Sequence, residues 1–136
     1  MKRLFYWLDV AAFLVFATLV VIYSHRDLRF ALGMALAAAA FALWMLARVQ
    51  LGASFSFRAE AKQLVTTGLY AKFRHPIYLF GQVAYLGLAI AWGHAIGFVY
   101  VAAGCAIQIP RIAREQAVLE ASFGDAYRAY KARTWL

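Results

Sequence analysis

Four apolar runs dominate the sequence, at roughly residues 6–24, 30–47, 76–92 and 95–110. A bilayer core takes about 20 residues of helix, with ~17–25 usual. The first two runs fit that length; the last two are short and would lean on interfacial residues or local thinning. An apolar run in lipid has to satisfy its own backbone hydrogen bonds, so helix is the state expected of each. Of the 136 residues 65% are apolar, against ~45–50% in a soluble domain, and that surplus does not fit inside one water-soluble core. The length allows a single domain, residues 1–136. The first run follows Lys2 and Arg3 as a secretory signal would. It outruns the ~7–15 residues of a signal core and has no convincing cleavage site, so a retained transmembrane helix is expected.

The connections set the topology. A short polar loop at 25–29 joins the first two runs, and Gly93-His94 joins the last two in a tight hairpin. Residues 48–75 form a long polar loop between the hairpins, and a basic tail occupies 111–136. Lys2, Arg3, the loop and the tail together hold 12 of the 14 Lys and Arg residues, leaving Arg26 and Arg29 for the opposite side. Basic residues concentrate in cytoplasmic segments. The expected fold is therefore all-α and integral to a membrane: four transmembrane helices as two hairpins, both termini cytoplasmic, with a C-terminal cytoplasmic amphipathic helix. The formal charge of +8 reads as a topology signal and as affinity for anionic membrane lipids; no nucleic acid partner is expected.

Smaller features agree. Tyr6, Trp7 and Trp44 fall at inner ends of the runs, and Tyr23 and Trp92 at outer ends, where aromatic residues anchor helices to the interface. Ala37 to Ala40 would let a neighbouring helix come close. In the tail, Ile112, Leu119, Phe123, Tyr127 and Tyr130 recur at helical spacing, with a break expected near Gly124. Such a helix either lies on the membrane or folds back over the long loop. The single cysteine, Cys105, sits in an apolar run, forms no intramolecular disulfide and reads as a small apolar residue. His25, His75 and His94 are scattered, with His75 on the opposite side from the other two, so no metal site is expected.

Two polar groupings flank the second hairpin. The first runs from Gly68 to Tyr78 and contains Tyr70 and Arg74-His75-Pro76. Proline suits the first turn of a helix, which places Arg74 and His75 at the lip of helix three and Tyr78 less than a turn inside. The positive end of a helix favours an electron-rich group; equally, Arg, His and Tyr are ordinary at a membrane boundary. The second grouping holds Arg111 and Glu115, one helical turn apart. The plain reading is an i,i+4 ion pair worth a few tenths of a kcal/mol. The functional reading has the carboxylate hold a cation and the guanidinium fork hold a substrate anion. The tight hairpin brings both groupings to the same end of antiparallel helices.

With Gly68, Tyr70, Arg74-His75-Pro76 and Tyr78, then Arg111-x-x-x-Glu115-x-x-x-Leu119, then Phe123-Gly124-x-x-Tyr127-x-x-Tyr130, the chain resembles the isoprenylcysteine carboxyl methyltransferase and phospholipid methyltransferase superfamily. The likeness covers about residues 48–133. Each motif alone is weak; the order, with one helical hairpin between, is fairly specific. The resemblance implies S-adenosylmethionine as cofactor, contacted by Leu64, Val65, Tyr70, His75, Pro76, Ile77, Tyr78 and Glu115. It implies Arg111 as the residue that orients the substrate. His75 is the nearby candidate for a base, should the acceptor be an amine. Lys62 stands where the family often has histidine, Gln116 where it usually has a second glutamate, and no proline follows Arg133.

The expected activity is methyl transfer to a lipid-like or small acceptor at the cytoplasmic face. An isoprenylcysteine-type carboxylate, a headgroup amine and a thiol all stay open, as does the oligomeric state. A sterol-type membrane reductase is one alternative, because such proteins can share a His-Pro-x-Tyr stretch; no Gly-rich dinucleotide loop supports it here. A non-catalytic membrane protein is the other.

Overall fold

The computed structural model describes residues 2–52 and 64–135, with side chains from Trp7 onward. Arg58 and Lys62, and the side chains of Lys2, Arg3 and Tyr6, lie outside the described residues. The described chain is helical: α1 (Lys2–Tyr23), α2 (Leu28–Leu51), a short 3-10 turn (Gly68–Ala71), α3 (Pro76–Trp92) and α4 (Ala95–Arg133). Its one strand-like feature, among the described residues, is a parallel bridge between Phe73 and Trp135. Two helices, Leu28–Leu51 and Ala95–Arg133, are long and apolar enough to cross a membrane, while Trp7–Tyr23 and Pro76–Trp92 are shorter apolar segments.

Local chemistry explains the helix ends. Asp27 caps α2 by accepting a hydrogen bond from the Phe30 amide at 2.8 Å. Pro76 occupies the first turn of α3, where its missing N–H costs nothing. Gly93 closes α3 at φ 73°, a left-handed conformation glycine adopts without a Cβ penalty, and the chain turns straight into α4.

Two boundaries differ from the sequence expectation. The fourth helix does not stop at Pro110; it runs on, and its first non-helical residue is Gly124 at φ 48°. Proline removes one hydrogen bond and crowds one carbonyl, but Ile112-Ala113-Arg114-Glu115-Gln116 beyond it are sound helix formers and carry the helix forward. The second helix reaches Leu51 and takes in Arg48, which the sequence places in the loop. Arg48 is only 2% exposed. Its guanidinium donates to the Asp9 carboxylate of α1 and lies 5.0 Å from the Trp44 ring centroid, so its charge is met inside the bundle.

The α2–α3 pair forms the centre. Gly33, Ala37, Ala40, Trp44 and Ala47 make one buried stripe on α2, facing Ala84, Gly87, Leu88 and Ala91 of α3. The backbones nearly touch: a Cβ on Gly33 would sit 2.4 Å from the Ala91 nitrogen, and one on Gly87 2.5 Å from the Ala37 nitrogen. Helices in lipid associate through such close packing, because the surrounding tails are as apolar as any core. The Ala37–Ala40 expectation is met at its two ends. Trp44, expected at the interface, is instead buried. It packs edge-on to Phe13 at 5.8 Å and Phe41 at 6.0 Å, which ties α1 to the pair. Large apolar side chains such as Ile22, Leu28, Val99, Ile107 and Ile109 face outward.

Candidate active site

The site is assembled where the 3-10 turn, the start of α3, the middle of α4 and the tail meet. The turn is pinned from α2, since the Gln50 side-chain oxygen accepts a hydrogen bond from the Leu69 amide at 2.8 Å. The tail then folds back over it. The Tyr130 hydroxyl donates to the Tyr70 carbonyl at 2.8 Å. The Trp135 amide donates to the Lys72 carbonyl at 2.7 Å, and the Arg74 amide donates to the Trp135 carbonyl at 3.0 Å. Of the two readings of the amphipathic tail, the structure shows it folded back onto the end of the loop, at Tyr70, Lys72 and Arg74. The Gly124 break lets it do so, because without a Cβ the chain can take φ 48° and redirect the helix onto Tyr70.

His75 is the N-cap residue of α3 and is 6% exposed. Its Nε2 lies 3.2 Å from Gln116 Nε2, and its Nδ1 lies 3.8 Å from Glu115 Oε2. Burial, and then the adjacent Arg74 charge, push the imidazole down to about 4, so it is neutral near pH 7. The 3.8 Å contact is accordingly not an ion pair: the ring meets the carboxylate as a dipole, at more than hydrogen-bond length.

Glu115 is the one carboxylate in this cluster among the described residues. Burial raises its pKa, while the Tyr78 hydroxyl and the Arg111 guanidinium pull it back down. The Arg111 guanidinium lies 5.7 Å from the Tyr78 ring centroid, and that ring is 5.9 Å from the imidazole of His75. Three buried polar atoms here have no hydrogen-bond partner: Glu115 Oε2, Arg74 Nε and the Tyr127 hydroxyl. Buried polar groups are ordinarily paired. A carboxylate oxygen left open suits a cationic ligand group, and an open guanidinium N–H suits an anionic one.

The structure thus brings His75, Tyr78, Arg111 and Glu115 together, with Pro76 buried beneath and Tyr70 buried under the Tyr130 hydroxyl. Leu64 and Val65 are half-buried, irregular chain ahead of the turn. The Ile77 side chain packs against the hydrophobic core, so a ligand contact there would use its backbone. Sequence reasoning passed over Gln50, although a lone amide at the end of an apolar helix is a readable signal. It treated Gln116 only as a departure, and the structure places it on His75. Tyr127 appeared only as part of a periodic stripe. An apolar cavity of about 300 Å3, lined by Phe16, Tyr85, Trp92 and Tyr100 among others, lies toward the far end of α3 from His75. No group of three metal-ligating side chains occurs among the described residues.

Compared with known proteins, the sequence profile described as phospholipid methyltransferase matches residues 28–126. None of the curated proteins matches the chain.

Proposed function

Since this chain belongs to the phospholipid methyltransferase family, within the isoprenylcysteine carboxyl methyltransferase-like group of membrane methyltransferases, we propose that it moves a methyl group from S-adenosylmethionine to a lipid-like or small acceptor at the cytoplasmic face. The observation that carries this reading is the buried Glu115 oxygen with no donor from the protein, set beside His75, Tyr78 and Arg111. The cofactor is a cation at its sulfonium and at its amino group, and it carries a carboxylate as well. Glu115 supplies a counter-charge for the former and Arg74 a donor for the latter. Tyr70, Pro76, Tyr78 and the backbone at 64–65 and 77 complete the enclosure, under the tail.

Bound there, S-adenosylmethionine would supply an activated methyl on a positively charged sulfur, transferable to an acceptor's lone pair with a neutral thioether left over. The residues therefore contribute position and electrostatics more than chemistry. Arg111 orients an anionic acceptor, and its guanidinium fork suits a carboxylate. His75 lines the reacting region as a neutral ring. In this reading the chain crosses the membrane four times, with the Lys and Arg excess holding the loop and tail on the cytoplasmic side. A lipid acceptor reaches such a site sideways, between helices.

Calorimetry on the detergent-purified chain tests the reading, with S-adenosylmethionine, S-adenosylhomocysteine and NADPH as ligands. Saturable binding of the first two is expected. Glu115→Gln should weaken S-adenosylmethionine binding roughly 10- to 100-fold, as loss of one hydrogen-bonded charge does. Affinity should also fall as pH drops through the raised Glu115 pKa, because the protonated acid no longer offsets a cation. Binding of NADPH alone would support the reductase alternative. No binding of any of the three by folded protein would refute catalysis.

A further inference from the structure

What His75 can do is decided by where its single proton sits. A neutral imidazole has one N–H and one lone pair. Gln116 Nε2 lies 3.2 Å from His75 Nε2, and an amide nitrogen only donates. His75 Nε2 therefore accepts, and the proton is on Nδ1, directed toward Glu115 Oε2 at 3.8 Å. Turning the amide over would make Nε2 the donor and leave the Nδ1 lone pair against a carboxylate. Of the two arrangements, only the first suits His75, Gln116 and Glu115 together. It leaves no imidazole lone pair with which to take a proton from an incoming acceptor.

The charges around the ring point the same way. His75 is flanked by Arg74 on its own segment, Tyr78 on α3, and Glu115 and Gln116 on α4. Arg111 stands over Tyr78. Among the described residues, two guanidinium groups thus accompany one carboxylate, and that carboxylate is the group assigned to the cofactor's cation. An alkylammonium, with a reference pKa of about 10, would enter as a cation and still need to lose a proton, and among the described residues no free base stands ready to receive it. A carboxylate enters with its lone pair exposed and its charge matched by Arg111. A thiol needs only the small fraction already ionised near neutral pH, which the surrounding positive charge enlarges.

We propose that Gln116 is a positioning residue that holds His75 in the Nδ1–H form, and that the site in consequence methylates groups that reach it ionised, a carboxylate or a thiolate, and not an ammonium headgroup. The acceptor half of this rests on the methyltransferase reading; the tautomer half rests on the geometry around a neutral His75. Methyl transfer to a carboxylate gives a neutral ester and to a thiolate a neutral thioether, so no proton is left to dispose of.

Two measurements test the two halves separately. The first is 15N NMR of histidine-labelled full-length protein, in which His25 and His94 are exposed and serve as internal references. His75 should show the Nδ1–H form in the parent, a mixture of forms in Gln116→Ala, and the Nε2–H form in Gln116→Glu. An Nε2–H signal in the parent overturns the proposal without recourse to any variant. The second is transfer of labelled methyl from S-adenosylmethionine to three probes: a long-chain S-alkyl-N-acetylcysteine, a long-chain thiol, and phosphatidylethanolamine in mixed micelles. One of the first two should exceed phosphatidylethanolamine by at least about 100-fold, the lower range of what a missing general base costs. The rate with the carboxylate probe should be flat from pH 6.5 to 8 in the parent, and Gln116→Glu should introduce a pH-dependent limb. Comparable methylation of phosphatidylethanolamine, or no transfer to either ionised probe by protein that binds the cofactor, overturns the acceptor assignment. Failure to bind S-adenosylmethionine at all refutes the methyltransferase reading and the acceptor assignment with it, and the NMR result still decides the role of Gln116.

Discussion

Replacing Gly33 with alanine sets two effects of opposite sign against each other. Alanine is the better helix former by about 1 kcal/mol, so an exposed site would gain. At Gly33 the new Cβ would stand 2.4 Å from the Ala91 nitrogen and 2.6 Å from the Gly87 oxygen, whereas ordinary contact begins near 3.4 Å. The helices would have to separate by about 1 Å, and the obstructing atoms are backbone with no rotamer to change. Overpacking costs about 1–3 kcal/mol, and backbone on both sides puts this case at the upper end. The net loss is about 2 kcal/mol, or a Tm lower by roughly 8 °C at ~4 °C per kcal/mol for a chain of this length. Gly104→Ala is the matched control. Its Cβ would meet the Gln82 amide at 2.6 Å, the far end of a flexible side chain that can swing aside, so its Tm should hold or rise slightly. Thermal unfolding in detergent, followed by intrinsic tryptophan fluorescence, reads both variants. Equal Tm values for the pair, or a Gly33→Ala protein as stable as the parent, would refute the claim that backbone contact sets the α2–α3 spacing.

Other outcomes follow from the same geometry. His75 has a folded-state pKa of about 4 against 6.5 for the free side chain, so below pH 6.5 the unfolded chain takes up a proton that the folded chain refuses. Its contribution is complete above about pH 6.5 and declines by about 3 kcal/mol toward pH 4; denaturant titrations of parent and His75→Gln over that window should diverge by this amount, with Glu115 acting in the opposite sense in both. Tyr130→Phe removes the donor to the Tyr70 carbonyl and should cost about 1 kcal/mol, with faster hydrogen exchange at the Arg74 and Trp135 amides; unchanged exchange would show that the hydroxyl does not hold the tail. Asp9→Asn removes the charge that Asp9 sets against the buried Arg48 and should cost about 1.5–3 kcal/mol, read as a lower Tm that Asp9→Glu partly restores.

Much of the grouping at the candidate site was legible because the positions are set locally. Pro76 at the head of an apolar run and Gly93 at its foot delimit α3 to the residue, and the short hairpin then forces Arg111 and Glu115 to the same end as His75. What stayed hidden depends on contacts across the chain. Arg48 reads as one more loop charge until Asp9, 39 residues earlier, is seen against it. Trp44 reads as an interface anchor until Phe13 and Gly81 are seen around its ring. Pro110 reads as a stop because the rule for proline is local, while the helix is carried by the residues on either side. Ile77 was assigned from motif position alone. Its spacing from Ala84, Leu88 and Ala91 already marks it as part of the stripe that faces the core.

The backbone bridge between the tail and the loop has a consequence for the order in which the protein is made. Synthesis runs from the N-terminus, so α2, the 3-10 turn and the α3–α4 hairpin exist before Tyr130 and Trp135 have been joined to the chain. Until then the Tyr70 and Lys72 carbonyls lack the donors that later cover them, and the region around His75 stands open on one side. The helices can form and pair before the tail arrives, and the region around His75 is covered only once residues 130–135 have been added.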